Sequence, residues 1–400
     1  MSRKQASETI GLALSGGGSR AIAFHLGCLR ALHDLGVLEK VDVISTVSGG
    51  SVVGALYATN EGSFEQFEEK TRDFLRAGLV GPSVKKAFTS LEGLNAFICA
   101  MFLLSVNIFL LMFAIVIRGL SWVLPGLRLR ALGTVRAPLK RYASRTTILR
   151  RVLDDDIFGG KKFRDLPKDG PLFIANAADL RTGSAFYFSN RDSGSWRLGH
   201  VCDDGLKVAH GVAASAAYPL LLPALDEILA FEKPDGTRRE ERVTLTDGGV
   251  YDNLGLAPLW PDRDPTISLN AQKIETIICC RAGYGLRFDA PNQFIFARMA
   301  SAFTTIHERA QNFATKRLFD LRSSGQLKAF AMPYLGMKDR ADLSDEEGFV
   351  SREDVFGYPT DFSAMPDAWI EKLSRRGEQL THRLINEHLP HLCVKDEFTC

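Results

Sequence analysis

Four things are missing from this chain of 400 residues: a cysteine framework, an appreciable net charge, an internal repeat and a low-complexity linker. The seven cysteines, at 28, 99, 202, 279, 280, 393 and 400, form no CxxC pair. The pattern of a zinc ribbon or a disulfide-stapled domain is therefore absent, and reduced thiols, with no metal and no cofactor, are the expectation. A formal net charge of +2 says nothing about partners by itself, and no nucleic-acid partner is expected. The N-terminal MSRKQASETI has basic residues but no separate apolar segment, so no secretory signal is expected.

One absence is local. No Asp or Glu lies between Gly93 and Leu153, whereas Arg118, Arg128, Arg130, Arg136, Lys140, Arg141, Arg145, Arg150 and Arg151 all do. This basic field adjoins AFICAMFLLSVNIFLLMFAIVI, Ala96–Ile117, which has 22 residues, no charge, and Ser105 and Asn107 as its clearly polar side chains. As a helix it would be about 33 Å long, enough to cross a hydrocarbon core of about 30 Å.

Elsewhere the chain reads as α/β. Ile10–Leu14 and Asp42–Val47 are apolar runs, each closed by a glycine-rich turn and followed by a helical pattern, the signature of a parallel sheet. Strand-like runs resume at Leu172–Ala178, Ala185–Phe188, Val243–Thr246 and Thr276–Cys280, with a turn at 233–237. Helical patterns cover 64–78, 206–217, 291–316 and 366–388. A catalytic domain over 9–260 is expected, interrupted by the apolar and basic insert at about 94–155 and followed by an extension over 261–400 that completes or flanks it.

Three local features carry chemistry. SGGGSRA (15–21) lies between a strand and a helix, where consecutive glycines let several N–H groups converge beside the positive helix end. It also satisfies the dinucleotide pattern GxGxxA at Gly16, Gly18 and Ala21, but the acid which that reading wants at the end of the second strand is absent. VDVISTVSGGSVVGAL (41–56) places Ser48 at a strand-to-helix turn with Gly49 and Gly50 after it, the setting of a nucleophilic serine. Ser51 ranks behind it, Ser45 lies inside the strand, and an ordinary serine N-cap is the bland alternative. TLTDGGVYDNLG (244–255) puts Asp247 at the end of an apolar strand before Gly248 and Gly249, where a plain Asp-Gly turn is the alternative. The order of the three raises each above its alternative. A Ser-His-Asp hydrolase would place its elbow later in the chain, and the eight histidines offer no evident third partner.

These motifs resemble those of the patatin-like phospholipase family. Its glycine-rich motif GGGxRG appears as Gly16-Gly17-Gly18-Ser19-Arg20-Ala21, its GxSxG as Thr46-Val47-Ser48-Gly49-Gly50, and its DGG as Asp247-Gly248-Gly249. AASAAYPLLLP (213–223), NAADLRTGSAFYFSN (176–190) and YDNLG (251–255) add to the likeness, which covers roughly 9–60 and 165–260. Ala21 and Thr46 replace glycines of the pattern, and Thr46 is expected to crowd the elbow. The resemblance implies a three-layer α/β/α fold with a mainly parallel sheet and no metal. It also implies a Ser48–Asp247 dyad without histidine, and an oxyanion hole from Gly16, Gly17, Gly18, Ser19 and Arg20, with Arg20 as a brace. Gly50, Gly248 and Gly249 support the motifs. The implied reaction is acyl-ester hydrolysis of a membrane lipid through an acyl-serine. A non-catalytic membrane-associated scaffold and a histidine-triad esterase are the competing readings.

The dyad constrains the apolar run, because one membrane crossing between Ser48 and Asp247 would separate them. The next apolar run, Gly119–Leu127, is too short for a return span and contains Pro125. With a buried core helix or apolar lid and a single span as the alternatives, the expectation is a shallow re-entrant hairpin split near Ser105–Asn107, monotopic on the cytoplasmic side. Lys85, Lys86 and the basic run 118–151 would then lie against the membrane surface.

Overall fold

The computed structural model describes residues 8–124, 141–219, 221–270, 272–285, 294–339 and 348–393. Among these, the strands are β1 (Ile10–Leu14), β2 (Val41–Val47), β3 (Leu172–Asp179), β4 (Ser184–Ser189), β5 (Gly194–Ser195), β6 (Gly199–Val201), β7 (Leu225–Glu232), β8 (Arg238–Asp247), β9 (Thr276–Cys280) and β10 (Ala329–Ala331). They form one mixed sheet in the order β10-β9-β1-β2-β3-β4-β5-β6-β7-β8. From β10 to β3 the pairings are parallel, and from β3 to β8 antiparallel.

The parallel strands are buried on both faces, which is why they read as unbroken apolar runs. Along β1, Leu12 and Leu14 enter one core while Ala13 enters the other, and β9 splits Ile278 and Cys280 from Ile277 and Cys279 in the same way. The helices include α1 (Gly18–Asp34), α2 (Gly49–Ala58), α3 (Phe64–Ala77), α4 (Val80–Thr89), α5 (Leu91–Val123), α6 (Arg145–Val152), α7 (Val208–Ser215), α8 (Gly249–Asp252) and α9 (Ile295–Ser323), with a short turn of helix at Arg352–Val355 and a C-terminal helix over Asp367–His388. Leu26, Leu29, Val52 and Leu373 from α1, α2 and the C-terminal helix fill the first core; Leu318 and Leu321 of α9 join the second. The result is a three-layer α/β/α arrangement.

The segment after residue 260 is built into this body. It supplies β9 and β10, and its C-terminal helix meets α1 backbone to backbone. A Cβ at Gly27 would fall on the Ser374 carbonyl, and one at Gly377 on the Phe24 carbonyl.

Two pairings on β3 position the site. β2 runs along one edge of β3 until Val47 faces Asn176, while β8 runs the opposite way along the same edge until Asp247 faces Ala177. The two strands therefore meet end to end, and the residues leaving their tips, Ser48 and Asp247, arrive at one place.

The apolar insert departs from the expected hairpin. α5 is one unbroken helix of 33 residues, about 50 Å long. Nothing in Ala96–Ile117 stops a helix: no Gly or Pro occurs there, and the Ser105 hydroxyl donates back to the Met101 carbonyl at 2.9 Å instead of opening a turn. Its base is anchored, with Ala96 packed against Ala143 and Ile148. Beyond that base the helix stands clear of the body. Of the basic run, 125–140 lies outside the described residues.

Candidate active site

Ser48 occupies the turn between β2 and α2 with φ 52° and ψ −118°, a conformation that costs a non-glycine residue about 1–3 kcal/mol and persists where its surroundings enforce it. Enforcement is visible on each side. A Cβ on Gly50 would fall on the Leu14 carbonyl, so β1 presses directly on the start of α2. The Ser48 N–H donates to the Ser215 hydroxyl at 3.0 Å, and Ser215 also bonds the Ser51 hydroxyl at 2.7 Å. Ser51 in turn meets Thr46, whose hydroxyl donates to the Ile174 carbonyl at 2.8 Å. Ser45 donates to the Gly255 carbonyl at 2.6 Å and accepts from Asn176 at 2.9 Å. The competing serines are thus consumed in holding the turn, which leaves Ser48 as the hydroxyl presented to the cleft. The crowding expected from Thr46 is absorbed by α2, because a Cβ at Gly54 would come within 2.6 Å of the Thr46 methyl.

Asp247 is 3% exposed, lies beside Ser48, and accepts the Gly249 N–H at 2.7 Å. Burial pushes its carboxyl up to about 7, against the lowering effect of the Gly249 N–H and the nearby Ser48 hydroxyl. A Cβ on Gly248 would strike the Asn176 carbonyl, so the chain passes this close to β3 only as glycine. Among the described residues no histidine hydrogen-bonds Ser48 or Asp247.

The glycine loop faces this pair. Gly17 at φ 150° and Gly18 at φ 61° turn the chain into α1. Gly16 donates its N–H to the Asn253 carbonyl at 3.0 Å and Ser19 donates to the Asp361 carbonyl at 2.7 Å, so both are spent on structure. Arg20 donates to the Ala282 and Tyr358 carbonyls at 3.0 and 3.2 Å and lies 4.5 Å from the Tyr284 ring centre, bracing the loop from behind. Of the five positions, Gly17 and Gly18 stand at the cleft with N–H groups that no protein carbonyl claims among the described residues.

Ser48, Asp247 and the glycine loop line a cleft of about 1680 Å³ whose opposite wall is α9 and Thr360–Phe362. The sequence reading left out Ser215, Asn253, Asp361 and this wall. The first two lie inside the quoted AASAAYP and YDNLG stretches, but nothing local shows that they hold the elbow and the loop. His307, on α9, also faces the cleft, and burial lowers its pKa; its ring nitrogen pairs with Gln311 at 3.2 Å.

The strained Ser48 turn, the buried Asp247 and the glycine loop thus gather at one cleft on a mixed α/β sheet. Residues 12–260 match the sequence profile of the patatin-like phospholipase family. The chain belongs to that family. It is 43% identical over 58 residues to a lysophospholipase of Coccidioides immitis, a match covering 14% of this chain and 4% of that protein. It is 38% identical over 77 residues to patatin-like phospholipase domain-containing protein 6 of Homo sapiens, covering 19% of this chain and 5% of that protein. These matches therefore span about one-twentieth of those relatives. Among solved structures, human GIVD cytosolic phospholipase A2 bound to a fluorophosphonate inhibitor aligns with TM-score 0.51 and 12% identity, over 96% of this chain and 59% of that one, a likeness of fold.

Proposed function

We propose that this chain is a lipid acyl hydrolase in which Ser48 is the nucleophile and Asp247 its base. The observation that carries the reading is the convergence of Ser48, on its strained turn, and the buried Asp247 in one cleft, where β2 and β8 meet end to end on β3. Asp247 takes the hydroxyl proton as Ser48 attacks an ester carbonyl, and returns it to the departing alcohol. The Gly17 and Gly18 N–H groups, at the start of α1, hold the oxyanion; removing one such donor typically costs about 100- to 1,000-fold in rate. Water, activated by Asp247, then releases the acyl group.

A fluorophosphonate probe tests the assignment directly. It is expected to label Ser48 and to leave Ser48→Ala unlabelled and without lipid-ester hydrolysis. Activity in that variant sinks the reading. Asp247 works as a base only when ionised, and its carboxyl is pushed up to about 7. The rate is therefore expected to rise with pH through about 7 and level above it, and Asp247→Asn to lose that rise together with most activity.

The same reading gives α5 its use. Ala143 and Ile148, after the helix, pack on Ala96 near its start, so the chain returns to the helix base. A single crossing does not fit that return, and we infer that α5 embeds in one leaflet beside the body. Arg118 and Trp122 near its far end suit the headgroup region.

A further inference from the structure

We propose that His25, Cys28 and Cys280 form a buried zinc site on the back of the glycine loop. Their ligand atoms all lie within 4.8 Å of one another, and the three residues are fully buried. The cluster joins α1 to the end of β9, with His25 and Cys28 one turn apart on the helix.

The histidine is set up as a ligand. Its Nε2 lies 2.9 Å from the Ser15 carbonyl, which can only accept, so Nε2 carries the proton and the neutral ring keeps its lone pair on Nδ1. Nδ1 is buried with no hydrogen-bond partner. An orphaned acceptor of this kind is costly, and a donated N–H on the far ring nitrogen is how metal-bound histidines are oriented. A second buried orphan, the Thr381 hydroxyl, lies beside Cys28.

Charge selects the ion. Two thiolates and a neutral imidazole around Zn²⁺ sum to zero, whereas the same set around Cu⁺ leaves a negative charge without water. Binding displaces one proton from each thiol, so two protons leave per zinc taken up. Zinc–ligand bonds of about 2.1–2.3 Å require the donors to draw together by about 1 Å. Ser15, whose carbonyl holds His25 and whose N–H donates to the Cys280 carbonyl at 3.1 Å, would then be tied to the metal through both neighbours.

The test uses the full chain, stripped with a chelator under reducing conditions and incubated with Zn²⁺. After gel filtration one zinc per chain is expected, with two protons released on binding, and Co²⁺ in its place is expected to show thiolate-to-metal charge-transfer absorption. Cys280→Ala and Cys28→Ala should lose the metal, while Cys202→Ala, at an exposed thiol, should keep it. The cobalt spectrum needs no variant, so misfolding of a mutant cannot mask the answer. No retained zinc and no charge-transfer band, or zinc retained undiminished without Cys280, would each overturn the site.

Discussion

Helices α1 and α5 reverse the usual relation between hydropathy and burial. α1 carries Arg20, His25, Arg30 and His33, yet 14 of its 17 residues are buried. α5 reaches a mean hydropathy of 2.7 in its most apolar window, yet Gly93, Ala96 and Leu103 are its buried residues. Composition alone would exchange them. What decides burial is whether a partner surface exists. α1 lies between the sheet and the C-terminal helix, where Arg20 is satisfied by two backbone carbonyls. Among the described residues α5 is covered near its base and largely exposed beyond Leu103, leaving an apolar surface of the kind that marks an interaction site.

Removing residues 94–130 breaks the comparison most severely. Binding to lipid vesicles is expected to disappear in a flotation assay, while hydrolysis of a soluble short-chain ester persists, because no group of the dyad or glycine loop lies on α5. A variant that still floats with vesicles would place the membrane contact elsewhere. Next in size is Phe24→Ala on α1. Phe24 is fully buried, and truncating a buried phenylalanine costs about 3–5 kcal/mol, measurable by urea unfolding.

The buried half of the molecule should also titrate where α5 cannot. The folded-state value of Asp247, about 7, lies above the ordinary 3.8, so ionising it works against the fold. Its share of stability is complete below about pH 4 and is lost as pH rises through 7. Asp247→Asn should therefore gain stability relative to the parent between pH 5 and 8, by a few kcal/mol at most, at about 1.4 kcal/mol per pKa unit. A constant difference across that range would contradict the burial of a charged carboxylate there.

The elements that locate the chemistry were legible because their signals are local. Glycine turns, apolar strands and the order of the three motifs need no more than a few residues of context, and Ser48 and Asp247 follow from them. The end-to-end meeting of β2 and β8 on β3 was not legible, since it depends on pairings between residues about 130 and 70 positions apart along the chain. The burial of Ser215 beside the elbow and the donation of the Ser19 N–H to Asp361 are hidden for the same reason. For the apolar insert, Ser105 and Asn107 suggested a break that helix geometry does not require, because a serine in a helix can return its hydroxyl to the preceding turn. The cysteines read as having no histidine at ligand spacing, whereas the fold brings Cys280 of β9 to His25 and Cys28 of α1.

The smallest expected effect is the most discriminating. Phe109, midway along α5, is 68% exposed and touches no core, so Phe109→Ala should change urea stability by less than about 0.5 kcal/mol in the absence of lipid. In lipid the same residue is predicted to be buried, and losing its apolar area should weaken vesicle binding by about 1.5–3 kcal/mol, roughly 10- to 150-fold. The ratio of the two effects separates the possible environments of α5. A core helix would lose stability and leave vesicle binding alone; a solvent-facing helix would change neither. Stability unchanged with binding weakened is the outcome that belongs to a helix whose partner is the bilayer.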